Sequence, residues 1–309
     1  MADRTGQLSL EESCRMNARV WSEGARAQRL PDGRRLHLQH GPIDLIVEAF
    51  GERTEVERAY DQACAVFPEI LPELAGELTR LRAPEGPQPQ GRIARRMCDA
   101  VQPFAPEFVT PMAAVAGSVA DAVLSALCAG RSLTRAYVNN GGDIALHLAE
   151  GRFRIGICTD PVTGKAGGVI DLSPDDSIGG IATSGWRGRS HSLGIADAVT
   201  ALAATAAQAD AAATVIANKV DLPGSPKIAR TPASELAPDS DLGRRLVTTD
   251  VRPLSSKDIQ NALGAGERAA RLYRSRGLIK GAGISLSGDY RTLAYKQETI
   301  TDPREAACA

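Results

Sequence analysis

Aromatic side chains are scarce in this chain: 4% of 309 residues, against 43% hydrophobic residues in all. Its core must therefore be built from alanine, valine and leucine, which fill space only where elements approach closely. Ordered cysteine spacing is missing as well. Cys14, Cys64, Cys98, Cys128, Cys158 and Cys308 are scattered, with no C-x-x-C, which excludes a zinc ribbon and reads as a set of reduced thiols. Neither sign of charge dominates, 36 basic residues facing 37 acidic ones. That balance gives no reason to expect nucleic acid or an anionic membrane surface as a partner, while a small anionic ligand needs only a local patch. The N-terminal stretch MADRTGQLSLEESCRMNARV lacks the apolar run of a signal peptide. Nor does any stretch of about 18 apolar residues avoid charge or frequent glycine. The expectation from these absences is a cytoplasmic protein without a membrane span.

The pattern along the chain predicts one domain over residues 31–300, between a polar arm (1–30) and a polar tail (301–309). Two strand-like runs flank Gly41-Pro42. A helical pattern from Glu55 to Leu81 is expected to split at Pro68 and Pro72. The stretch APEGPQPQG, residues 83–91, is the one linker-like segment. Thr110 and Pro111 suit the N-cap and first position of a helix that stops at Gly130. Gly117 in its middle costs about 1 kcal/mol against alanine, so a ligand or another backbone is expected to approach there. Residues 134–185 are strand-rich, and a helix of almost pure alanine runs from Thr205 to Lys219, opened by a T-x-x-Q capping box. The C-terminal third predicts a strand, an amphipathic helix and a strand pair. Two helices share small residues followed by an aspartate, AGSVADAV and AAQADAAAT, and each neighbours a Gly-Gly strand turn. This hints at an internal duplication, and irregular alternation of strands with helices argues for an α+β or α/β sandwich.

Several residue groups could carry chemistry. Asp210 and Thr214 lie four apart on the alanine helix and so share a face. A carboxylate and a hydroxyl there could supply two corners of a Mg²⁺ octahedron, or be a helix-dipole aspartate beside an ordinary threonine. Asn139, Asn140, Gly141, Gly142 and Asp143 interrupt an apolar strand: paired glycines can turn amides toward a phosphate, or simply form a tight turn. Thr183, Ser184 and Gly185 offer the same device with hydroxyls. They do not make G-x-S-x-G, so a nucleophile elbow is not supported. His191 sits in a polar loop and could act as a base or a phosphate contact. Arg187 and Arg189 beside it suit an anionic ligand. The segment from Asp160 to Lys165 fails as a P-loop, with threonine at 159 and Ala166 where a hydroxyl is required, and reads as a turn.

In this order, GPIDLIVEAFG, TPMAAVAGSVADAV, AYVNNGGDIALHL, TSGWRGRSHSLGIADAVTALA and ADAAATVIANKV resemble the ApbE superfamily. The best-known members are FAD:protein FMN transferases; the closer match is the uncharacterised family beside them. The resemblance implies an α+β fold of T-fold type built as two related halves, with FAD or FMN and Mg²⁺ as cofactors. By analogy with the transferases, Asp210 and Thr214 match the metal-binding D-x-x-x-T, and Gly141, Gly142 and Asp143, with Asn140, match the flavin-site turn. Gly117 and Asp121 match the K-G-x-x-x-D helix motif, although its lysine is Ala116 here. His191 aligns with a histidine that precedes an I-I-D-P-x-T-G segment, which this chain lacks. The resemblance supports a flavin- or nucleotide-binding protein of unassigned activity, with possession of homo-oligomeric structure left open. If it is a transferase, the metal would stabilise charge on departing AMP, and His191 would be the base for an acceptor hydroxyl. Two further readings remain: a non-enzymatic accessory protein, or a sulfur-transfer enzyme. The latter rests on the closer family's link to sulfide assimilation and homocysteine formation and points to Cys158.

Overall fold

In the computed structural model, which describes residues 19–21, 24–160 and 165–295, with side chains in 24–157 and 168–295, burial alternates along the first strands as a half-buried sheet requires. After β1 (Arg19–Trp21), β2 (Ala25–Arg29) buries Ala25 and Ala27, and β3 (Leu36–His40) buries Leu36, Leu38 and His40. β4 (Ile43–Gly51) follows across the expected turn at Gly41-Pro42. The end of the stretch expected as an arm is thus sheet, because Ala25 and Ala27 alternate with the polar Arg26 and Gln28 and residues 26–29 pair with β3. The remainder of residues 1–18, and the tail over 301–309, lie outside the described residues.

Helices α1 (Arg53–Gly76), α2 (Leu78–Leu81), α3 (Arg92–Val101) and α4 (Val115–Cys128) then cover one face. Pro68 and Pro72 do not split α1. Each forfeits one backbone hydrogen bond, but the helix buries Tyr60, Ala63, Phe67, Ile70 and Leu74 in one stripe. That apolar contact, worth about 1.5–3 kcal/mol for each large side chain, holds it continuous. The proline-rich stretch 83–91 is a strap within the domain: the Glu77 carboxylate accepts from the Gln90 and Gly91 amides at the start of α3. Thr110 has the N-cap position, but a 3-10 turn (Pro111–Ala114) precedes α4 and the Thr110 hydroxyl donates to Asp241 instead.

β5 (Leu133–Asn140) and β6 (Asp143–Leu148) return beside β4. β7 (Phe153–Asp160) and β8 (Lys165–Leu172) pair as a separate two-stranded sheet, and residues 161–164 lie outside the described residues. β9 (Gly180–Ser184) and β10 (Ala198–Ala203) precede the alanine helix α5 (Ala206–Lys219). A second hairpin, β11 (Ile228–Pro232) and β12 (Leu246–Val251), encloses the short α6 (Ala233–Leu236). Then come α7 (Ser256–Ser275), β13 (Gly281–Leu286) and β14 (Asp289–Leu293). The main sheet has ten antiparallel strands in the order β1-β2-β3-β4-β5-β6-β9-β10-β13-β14. Helices connect β4 to β5 and, together with the β11–β12 hairpin, connect β10 to β13. Helices pack on one face in two apolar clusters. On the other face, Leu172 and Ile178 meet Leu146, Ile181 and Leu202.

β10 was not expected from the sequence. AVTALA has helix-forming residues, yet all six are buried and pair with β9 and β13 on either side; tertiary burial overrides propensity here. The helix α5 is buried nearly all round, as a helix apolar on every face should be. Pro111–Cys128 has the length and apolarity of a membrane span, but half of it is buried within this protein, against the sheet and α5.

Backbone contact explains Gly117. A Cβ there would lie 2.3 Å from the Ala206 carbonyl oxygen and 2.8 Å from the Ala207 nitrogen. Gly117→Ala, which in an exposed helix would stabilise by about 1 kcal/mol, should here destabilise by about 1–3 kcal/mol through overpacking. Urea unfolding measures this, and a rise in stability would refute the close crossing of α4 and α5.

Candidate functional site

The starts of α4 and α5 meet, and each is capped by a carboxylate from the other. On α4, Asp121 accepts from the Ala206 and Ala207 amides, both at 3.0 Å. Thr205 accepts from the Gln208 amide at 3.2 Å, so the first turn of α5 is satisfied within the protein. On α5, Asp210 accepts from the Gly117 amide at 3.0 Å and from that of Ala116. The end of β5 joins the crossing, where the Asn140 side-chain amide donates to the Ala116 carbonyl at 3.1 Å.

Gly141 and Gly142 form the two-residue turn between β5 and β6, with φ of +64° and +113°. Positive φ at both central positions matches the twist of the flanking strands and suits glycine. The Asn139 side chain accepts from the Gly142 amide at 2.8 Å. Asp143, directly after the turn, accepts from the Thr183 amide at 3.3 Å. The Thr183 hydroxyl pairs with that of Thr200 at 2.8 Å, and Thr214 reaches the Ser184 hydroxyl at 3.5 Å. Gly185 admits the Asp197 carbonyl, which a Cβ would meet at 2.4 Å. Asp143, Thr183, Ser184, Asp210 and Thr214, up to seventy-one residues apart, thereby gather at one corner where β6 begins and β9 ends against α5.

This corner is short of positive charge. Burial pushes the Asp143 carboxyl up to about 7, opposed by the Thr183 amide and the Arg189 charge. Burial also raises Asp210 well above the ordinary range, and the neighbouring Asp143 charge raises it further, while the Gly117 and Ala116 amides oppose both. Asp121 is raised by burial against the Ala207 and Ala206 amides and Arg96. Oxygen donors that repel one another when ionised form a set that a hard cation would relieve. Asp210 and Thr214 fit such a cation in chemistry and spacing, with Ser184 beside Thr214. Among the described residues, however, no three Asp, Glu, His or Cys side chains gather as a ligand set.

The loop after Gly185 contains two arginines with different employment. Arg187 donates to Asp197 at 2.7 Å and stacks on Trp186, whose indole also donates to Asp197 at 3.2 Å. The other Asp197 oxygen accepts from the Ser287 amide at 2.6 Å. Arg189 instead lies over the Gly141 turn, its Nη2 1.9 Å from where a Cβ would be. His191 is exposed on this loop, and among the described contacts none joins it to Asp143, Asp210 or Thr214. Asp197 escaped sequence reasoning because it lies outside any spacing pattern; its only signal was a carboxylate within an apolar run. Burial raises the Cys98 thiol and pushes Cys128 up to about 11, the opposite of nucleophile activation. The side chain of Cys158 lies outside the described residues.

A family model described as AbpE bacteria matches residues 27–292. A UPF0280 protein of Methanosphaerula palustris is 43% identical over 116 residues, 36% of this chain and 47% of that protein. One from Archaeoglobus fulgidus is 37% identical over 142 residues, 46% of this chain and 56% of that protein. The chain thus spans about half the length of these relatives. Among solved structures, the apo flavinyl transferase ApbE of Pseudomonas stutzeri matches at 12% identity and a TM-score of 0.42, over 81% of this chain and 89% of that one.

The raised Asp143 carboxyl gives a pH signature. Between the ordinary aspartate value of 3.8 and about 7, the folded state holds a proton that the unfolded chain has released, so this group's contribution to stability falls as pH rises through that window. Asp143→Asn removes the decline. In metal-free buffer, its stability relative to the parent should rise by about 2 kcal/mol from pH 4 to pH 8. Parallel unfolding free energies across the range would contradict this assignment.

Proposed function

The chain belongs to the family described as AbpE bacteria, and on that premise we propose that it binds a flavin or related nucleotide, with Mg²⁺, at the corner formed by Asp143, Ser184, Asp210 and Thr214. The observation that carries this reading is the convergence itself. Residues from a strand turn, a strand end and a helix are singled out separately by pattern: Asp143 bonds to the Thr183 amide, Thr214 contacts Ser184, and the Asp143 charge raises the Asp210 carboxyl. The sequence resemblance to flavin transferases supports the choice of ligand.

Asp210 and Thr214 would hold the metal, one helical turn apart. A bound Mg²⁺ there supplies charge neutralisation at phosphate oxygens. The protein's own part is preorganisation. The Gly117 and Ala116 amides fix the Asp210 carboxylate while leaving it lone pairs for a cation. The Thr214–Ser184 contact orients the threonine hydroxyl. Asn140 locks the first turn of α4 against the glycine turn. Asp143 can hold or release a proton at its carboxyl near neutral pH, the range in which a group serves as acid or base. With Ala116 at the transferases' lysine position, the proposal commits to binding; FMN transfer is a separate step, read by AMP release.

Titration calorimetry with FAD and ADP, with and without Mg²⁺, tests the reading. Mg²⁺ should strengthen wild-type binding by about tenfold or more, and Asp210→Asn, which preserves shape and the amide contacts, should lose that gain. An equal Mg²⁺ gain in Asp210→Asn would remove the metal assignment. No binding of either nucleotide by the wild type would remove the proposal.

A further inference from the structure

An anionic ligand approaching this corner meets Asp143 and Asp210, with Asp121 behind them. To the extent that these carboxyls are ionised they repel a phosphate group, and a cation beside them offsets that repulsion. Among the described residues, Arg96 acts on Asp121 and Arg189 on Asp143. Arg187 is committed to Asp197 at 2.7 Å and to the face of Trp186. Arg189 is exposed, and among the described residues its guanidinium has no hydrogen-bond or ion-pair partner. Its charge is nevertheless felt at Asp143.

The placement of Arg189 is built into the fold. Just before it, Arg187 and Trp186 are pinned by Asp197, which is itself tied to the Ser287 amide. The Gly188 amide closes a turn onto the Gly185 carbonyl at 3.1 Å, and Gly185 fits only because its missing Cβ admits Asp197. Beyond this anchored turn, the guanidinium rests on Gly141. A Cβ at 141 would come within 1.9 Å of Nη2 and 3.0 Å of Cζ. Gly141 makes the turn, and the guanidinium lies against it. The result is a planar cation beside the glycine turn, with no hydrogen-bond or ion-pair partner among the described residues, next to a cluster of acidic side chains.

We infer that Arg189 is the phosphate-recognising residue of this site, so that it selects a phosphorylated ligand over an isoalloxazine ring alone. A guanidinium presents paired N–H donors that match two phosphate oxygens, which a lysine does not reproduce. The arginine acts by binding and is not assigned a proton transfer. This inference rests on the nucleotide reading above and divides its ligand into parts.

Calorimetry with FAD, ADP and riboflavin in the presence of Mg²⁺ tests it on wild type, Arg189→Gln and Arg189→Lys, with thermal melting to verify folding. Arg189→Gln should weaken FAD and ADP by about tenfold or more and leave riboflavin within about twofold. Arg189→Lys should recover only part of the loss. FAD and ADP affinities unchanged in Arg189→Gln would overturn the arginine assignment while leaving the nucleotide reading standing. An equal loss for riboflavin would also overturn it, because the side chain would then be shaping the site rather than reading phosphate. A wild type that binds neither FAD nor ADP would remove both the nucleotide reading and this one.

Discussion

Asp121 and Asp210 hold the two central helices by their N-termini, and each comes from the opposite helix. A helix start leaves amides without intrahelical partners, and burying them unpaired is costly. Here two such starts are driven against each other in the middle of the protein, where water cannot serve both. The exchange of carboxylates solves the problem for α4 and α5 together, each cap being worth about 1 kcal/mol or more. It also sets the crossing, because the amides can reach the opposing oxygens only when Gly117 lies against the Ala206 carbonyl. The glycine turn, the start of β6, the end of β9 and the loop after Gly185 take their positions from this crossing.

The same exchange gives the candidate site its electrostatic character. Two carboxylates recruited to the helix starts, with Asp143 from the strand turn, place more acid in one corner than burial tolerates. The amides offset part of that cost, and protons or a cation would offset the rest. Asp210 therefore answers to two demands, holding α4 and facing Thr214's side of α5. A structural cap and a ligand position coincide in one side chain, and this is why the corner combines rigidity with the capacity to take up positive charge.

Much of the candidate site is legible in the sequence. The four-residue spacing of Asp210 and Thr214 placed them on one helix face, and the paired glycines predicted a turn at Gly141-Gly142; both hold. The alanine content of α5 indicated close contact on all sides, which Gly117 shows in detail. Other features were hidden because they depend on partners remote in the chain. AVTALA favours a helix by propensity and becomes β10 because strands wait on both sides. Pro68 and Pro72 read as breaks, yet the apolar stripe of α1 outweighs two lost hydrogen bonds. Asp121 matched a ligand-site motif, while its oxygens are spent on the backbone of α5. Arg187 and Arg189 are indistinguishable as letters, and only Asp197 separates a structural arginine from an uncommitted one.

By itself, the sequence determined which segments could be strands, turns and helices over most of the chain, because periodicity, positive-φ glycines and capping residues act within a few neighbours. It also named most of the polar residues that meet at the corner. Which of those residues stabilise backbone and which remain open to a ligand was decided by tertiary structure alone. That choice depends on whether a buried amide, a carbonyl or a second charge arrives within hydrogen-bonding distance, and the partners that arrive here come from up to ninety-three residues away.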